Sequence, residues 1–316
     1  MVFKKMMRAF GVGGPSVDTV LTNPNTRPGL NLEGHVNITG GDHVVDIEYV
    51  SLGLVTKVEV ESGDSEYNQV TEFHRLNVAG RFQVMPKQPI SIPFQFPMPW
   101  ETPITNVTGG QRLHGMTMGL RTELAVAGAI DKGDLDQVNV HPLPAQERII
   151  EAFGRLGFRF KAADVERGHI RGSRQTLPFY QEVEFYAPPQ YPGVNGVEVT
   201  FLANPQYMDV ILEFDKRGGL FTSGHDTITY NTVDYRTVDS TDWAAQVDAW
   251  CRAALGRRQS YAPQQGHYPP PQQPHYGHQQ HGYRHRRGHG MAGGVVGGLA
   301  AGYVAGEVLD DLFDGD

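Results

Sequence analysis

A single cysteine, Cys251, stands among 316 residues. One thiol excludes an intramolecular disulfide framework and any multi-cysteine zinc site, and it fits a reducing compartment. Positive charge is also short. The 27 Lys and Arg against 35 Asp and Glu leave a formal charge of −8, the reverse of the basic footprint of a dedicated nucleic-acid binder. No nucleic acid is therefore expected as a partner. The basic start Met1–Phe10 is not followed by an apolar run, because Gly11, Gly13, Gly14 and Pro15 come too soon. A secretory signal needs such a run, so the chain is read as cytoplasmic. The ten N-terminal residues form a short basic amphipathic patch, either an edge helix or a weak membrane contact.

Catalytic motifs are equally scarce. Gly11-Val-Gly-Gly14 lacks the Lys-Ser/Thr of a phosphate loop. Neither a Gly-x-Ser-x-Gly elbow nor a His-Glu-x-x-His pair occurs. The body histidines His35, His43, His74, His114, His141, His169 and His225 show no metal-ligand spacing. Cys251 sits beside Trp250 in an apolar stripe, the setting of a buried structural thiol rather than a nucleophile. Acids alternate along strand-like segments (Asp46 and Glu48; Glu182 and Glu184; Asp209 and Glu213), as on a solvated sheet face. No catalytic residue, cofactor or metal site is expected.

What is present is β pattern. Asn31–Thr39 alternates and turns at Gly40-Gly41; Val44–Leu52, Leu54–Val60 and Glu72–Phe82 follow. Phe158–Ala162, Gln181–Tyr186, Val197–Leu202 and Met208–Phe214 alternate in the same way. Strands recurring every 8–15 residues with turn residues between them favour β-sandwiches over βαβ units. Two helices are expected. Pro144–Gly154 places Ile149, Ile150 and Phe153 on one face. Asp239–Gly256 has Ser240, Thr241 or Asp242 as its cap, a stripe of Trp243, Val247 and Trp250, and Gly256 as its stop.

Ile90–Ile104 interrupts strand positions with Pro93, Pro97, Pro99 and Pro103, which confines it to a sheet edge. This segment resembles the phenylalanine-proline edge of arrestin-like N-terminal domains. Leu120–Asp131 is similar to the strand that follows it, and Val17–Leu21, Pro28-Gly-Leu30 and Gly34 also match. More narrowly, Lys4-Lys5, Val17-Asp-Thr-Val20, the Pro-Phe segment and Pro205-Gln-Tyr-Met-Asp209 resemble the bacterial sporulation-control (SpoOM) family. The resemblance spans about residues 1–255. With the strand pattern it implies an all-β fold of two tandem arrestin-like β-sandwich domains, with a short helical connection and a C-terminal helix; the low-complexity tail lies outside the resemblance and is read from composition. The expected units are 1–142, 143–256 with the closing helix, a Pro/Gln/His-rich linker 257–290, and a glycine-rich segment 291–316 with an acidic end. The implied function is non-enzymatic regulation of bacterial development or the cell cycle through an unidentified protein partner. The alternative is a β-sandwich enzyme or carbohydrate-binding module.

Beyond the body, His267, His275, His278, His281, His285 and His289 accompany Arg284, Arg286 and Arg287. They read as a low-complexity linker or as a loose metal- or proton-binding tract. Gly294, Gly298, Gly302 and Gly306 recur every four residues, on one stripe if helical. Three readings of this segment stay open: an inert tail, a self-associating glycine zipper, and a membrane-associated segment.

Overall fold

A computed structural model describes residues 13–62, 65–107, 110–216 and 227–259. The tail histidines and the glycine stripe Gly294, Gly298, Gly302 and Gly306 lie outside them. The chain builds the expected β-rich, sandwich-type architecture. One layer is a three-stranded antiparallel sheet of β1 (Ser16–Leu21), β3 (Asn31–Thr39) and β7 (Pro89–Pro97), with β3 in the middle. Pro93 and Pro97 fall as expected on the outer strand, facing His35 and Asn31, while Pro99 and Pro103 lie beyond its end. A short strand β2 (Asn25–Thr26) pairs in parallel with β10 (Asn139–Val140).

The facing layer is organised by β4 (Val45–Ser62), a single 18-residue strand where the sequence pattern predicts two. One edge of β4 pairs with β5 (Ser65–Ala79) and β6 (Phe82–Val84). The other pairs with β8 (Met118–Val126), which carries β9 (Lys132–Gln137) beyond it. Between the two layers lies a core of Leu32, Val36, Ile38 and Phe96 against Val50, Leu52, Leu54, Leu120 and Leu124. The inward residues of β3 alternate with exposed ones and the half-buried Asn37, the two-residue period of a strand buried on one face. Gly34 sits where a Cβ would lie 2.4 Å from the Val20 carbonyl oxygen and 2.8 Å from the Phe94 ring. Only a residue without a side chain fits between them.

The second half is an antiparallel sheet of β11 (Arg159–Arg167), β12 (Phe179–Tyr186), β13 (Val194–Ala203), β14 (Tyr207–Lys216) and β15 (Thr227–Asp234), in that order. Its second layer is helical. Helices α1 (Pro144–Arg155) and α2 (Trp243–Gln259) cover one face, where Ile149, Phe153, Val183, Val199, Val210, Leu212, Val247 and Cys251 form a second core. The expected boundary at 142/143 falls between β10 and α1. Ala163, Val165 and Phe179 of β11 and β12 nevertheless pack into the first core. The sheets are joined where β4 outruns β8, by a parallel bridge from Glu59 to Glu166 of β11.

Helix α1 starts on Pro144, whose missing N–H costs nothing at a first helical position. Gln146 Oε1 accepts the Leu143 N–H at 2.8 Å, which satisfies a donor at the entry. Among the expected caps of α2, Asp242 takes the role, accepting the Ala245 N–H at 3.2 Å. The helix runs past Gly256 to Gln259. Its buried stripe is Trp243, Val247, Cys251 and Ala254, all under 9% exposed, while Trp250 is only half-buried. Trp250 sits one position from Cys251, on the shoulder of that stripe, edge-on to Trp243 at 6.3 Å between ring centroids. Trp243 also donates its indole N–H to the Val238 carbonyl at 2.8 Å.

Trp243→Ala should therefore destabilise the protein by about 3–5 kcal/mol, the range for a large buried aromatic. Trp250→Ala should cost about half of that. Urea denaturation of the two variants checks the order, and equal midpoints would show that α2 docks on a different face.

Candidate functional site

Two features of the second half bring polar groups together. The first is a groove where the halves meet, about 390 Å³ in volume, within the range of ligand-sized clefts. The first half contributes Trp100 and Glu101, which follow β7. Trp100 is held from both sides. A Cβ on Gly29, whose φ is +78°, would lie 2.6 Å from the indole ring, and Tyr235 stacks on the ring at 6.4 Å. Burial pushes the Tyr235 hydroxyl up to about 12, with the Asn204 backbone acting the other way. The Glu101 carboxylate accepts the backbone N–H of Thr176 at 2.8 Å and of Leu177 at 3.1 Å, tying the halves together.

The opposite wall comes from the β11–β12 connection and the β13–β14 turn. Arg174 forms a two-pronged pair with Asp209, at 3.0 Å from Nε and 2.7 Å from Nη2. Its guanidinium lies 4.2 Å over the Tyr207 ring. Thr232 adds a hydroxyl to Asp209 at 2.7 Å. Gln175 holds the connection in shape. It donates to the Gly168, Leu177 and Phe179 carbonyls and accepts the Ile170 N–H at 3.0 Å. Asn204 Oδ1 caps the turn by accepting the Gln206 and Tyr207 N–H groups. The Pro205–Asp209 motif singled out in the sequence thus forms one wall of the groove, and its Asp209 is buried and paired.

The second feature is the sheet face opposite the helices. Cross-strand register sets Asp164 against Glu182, Glu184 against Glu198, and Glu198 against Glu213. The carboxylates of Glu182, Glu198 and Glu213 lie within 4.8 Å of one another, as do those of Glu59, Asp164 and Glu166. Lys161 pairs with Glu184. The expectation of a freely solvated acidic face is corrected here: these groups are half-buried. Each strand alone shows only alternation. Pairing puts like charges side by side, where two unit charges about 5 Å apart repel by roughly 3 kcal/mol at an effective dielectric constant of ~20. Protons relieve this. Burial first, then Glu198, Asp164, Glu166 and Glu213, push Glu182 up to about 9. Burial and Glu213 push Glu198 up to about 7. Burial with Glu184 and Glu59 pushes Asp164 up to about 6, and its buried Oδ1 has no hydrogen-bond partner.

A cavity of about 20 Å³ lies beside Glu182, Glu198 and Glu213, under Ile170, room for one water-sized occupant. Three carboxylates form the donor set of a hard divalent cation. The arrangement also stands without one when a carboxyl keeps its proton. Cys251 lies within the second core, and burial pushes its thiol up to about 12, as expected of a structural cysteine. Among the described residues, no helix is long and apolar enough to cross a membrane.

The fold and both features occur in a chain whose relatives are sporulation-control proteins. Residues 3–218 match the model of the SpoOM protein family, and the chain belongs to that family. A sporulation-control protein of Bacillus subtilis (strain 168), spo0M, is 33% identical over 217 residues, covering 68% of this chain and 81% of that protein. The crystal structure of Spo0M from Bacillus subtilis superposes with a TM-score of 0.67 at 26% identity, covering 77% of this chain and all of that one. The family match takes in most of the groove and the whole acidic face but ends before β15, α2 and the tail.

The acidic face predicts an inverted pH dependence. An unfolded Glu titrates near 4.3, so above that value the native state holds protons that the unfolded state has released, and stability falls as pH rises. The stabilisation is complete below about pH 4 and is lost as the pH passes about 7 and then about 9, the folded values of Glu198 and Glu182. Glu182→Gln should raise the melting temperature at about pH 8–9 and leave it nearly unchanged at about pH 4. Thermal melts across that range check this; an unaltered pH profile would mean the carboxylates do not interact.

Proposed function

We propose that the chain is a non-enzymatic, cytoplasmic regulator in sporulation control or a related developmental step, acting through contacts with a protein partner at the junction groove. The observation that carries this reading is the construction of the groove. Both halves contribute walls, the uncovered parts of Trp100 and Tyr207 line the cleft, and the Arg174 guanidinium in that lining is already paired with Asp209 and stacked on Tyr207. Aromatic anchors in a formed cleft are typical of binding hot spots. Membership of the SpoOM family supports a regulatory role. No step of catalysis follows from the groove, whose carboxylates Glu101 and Asp209 are both engaged in holding the walls.

The test is affinity purification of the full chain from its native cell, as wild type and as Tyr207→Ser. Recovery of the specific partner should drop about tenfold or more in the variant, since loss of an aromatic anchor costs about 2 kcal/mol. The circular dichroism spectrum should be unchanged. The purified wild type should show only background with hydrolase, nucleotide and sugar substrates. Robust turnover abolished by Glu182→Gln would replace this reading with an enzymatic one.

A further inference from the structure

The groove has the chemistry of a proline-binding surface. The parts of Trp100 and Tyr207 that line the groove, left uncovered by Tyr235 and Arg174, are aromatic surface of the kind that packs on pyrrolidine rings, and side-chain amides such as Gln206 meet the exposed carbonyls of an extended polyproline segment. Prolines preset the backbone, so such a segment loses little entropy on docking. The chain carries one itself: Pro269-Pro-Pro-Gln-Gln-Pro274.

The distances allow its return. The segment that leads into α2 starts beside the groove: Tyr235, eight residues before the helix, stacks on Trp100, and Asp234 pairs with Tyr207. At 1.5 Å per residue the 17 residues of α2 carry the chain about 25 Å away. Pro269 follows Gln259 by ten residues, which extend to roughly 33–36 Å. That is enough to run back alongside the helix. Pro263, four residues out, reaches only about 14 Å and falls short.

Charge favours the same path. Residues 275–290 contain Arg284, Arg286, Arg287 and five histidines, with no acid. From Asp209 in the groove wall, the same face of β14 continues to Glu213, and across the sheet to Glu198 and Glu182. A cationic stretch that follows docked prolines meets carboxylates crowded against one another.

We propose that Pro269–Pro274 docks within its own chain in the Trp100–Tyr207 groove, with the Arg/His stretch laid on the acidic face, as an internal cover that a partner must displace. This rests on the groove being a peptide-binding surface, as proposed above.

The test uses the full chain with a photo-cross-linking amino acid in place of Gln206, which is exposed on the β13–β14 turn. The expected product is a cross-link within one chain to a peptide containing Pro269–Pro274. Its yield should be unchanged by dilution. In the full-length P269A/P270A/P271A variant the yield should fall about tenfold, equivalent to ~1.4 kcal/mol. Charge reversal at Arg284, Arg286 and Arg287 should lower the yield at low salt and matter less at high salt. No cross-link to the tail, an equal yield in the triple-proline variant, or a yield that grows with concentration would each overturn the proposal. The last would mark a second copy as the occupant. The cross-link is read on the isolated protein, so it succeeds or fails independently of whether a partner is captured.

Discussion

A strand has two edges, and the whole arrangement depends on how β4 uses them. One edge is taken by β5 and β6. The other is shared: β8 occupies it from Ile47 to Thr56, and β11 meets it at Glu59. The 18-residue length of β4 is what lets one strand belong to the sandwich at its start and touch the second sheet at its end. Residues of β11 and β12 then fill the first core, with Phe179 edge-on to Phe73 of β5 at 5.2 Å. Gln181 exchanges two hydrogen bonds with the Ile104 backbone. A junction built from paired backbone, shared core and buried polar contacts holds the walls of the groove in fixed relation.

The same join concentrates negative charge. Bridging Glu59 to Glu166 extends a row of carboxylates that begins on β14 and crosses β13, β12 and β11. Cross-strand like charges oppose sheet formation, and protons on Glu182 and Glu198 and the pairing of Lys161 with Glu184 offset that repulsion. Acid residues that stabilise solubility on a lone strand become an electrostatic load in a sheet. A cationic segment laid there, as proposed, would relieve that load.

Much of the fold was legible because burial on one face writes a two-residue period, as in Asn31–Thr39, and because proline marks an edge, as in Pro89–Pro97. Pro144 announced one helix start and the run Ser240–Asp242 the other. The length of β4 was not legible, since Gly53 reads as a break and its accommodation against the Glu72 side chain depends on a partner strand. Trp250 looked buried because size and spacing favour it, whereas the docking angle of α2 selects Cys251 instead. The acidic face and the groove could not be read from one strand at a time. The alternation of Glu182 and Glu184 carries no trace of Glu198 and Glu213, and Trp100 lies 107 residues from Tyr207. The Pro205–Asp209 motif carried the family resemblance, but no visible chemistry marked it as part of a groove.

The two halves form one cooperative body through β4, so that the groove between them is a fixed feature rather than a hinge. Equilibrium urea unfolding followed in parallel by far-ultraviolet circular dichroism and tryptophan fluorescence tests it most directly. Circular dichroism reports chiefly on the strands of both halves, while Trp243 and Trp250 report on the second and Trp100 on the junction. A single transition with coincident midpoints is predicted. Two separated transitions, with the fluorescence change preceding or following the main loss of β structure, would contradict it.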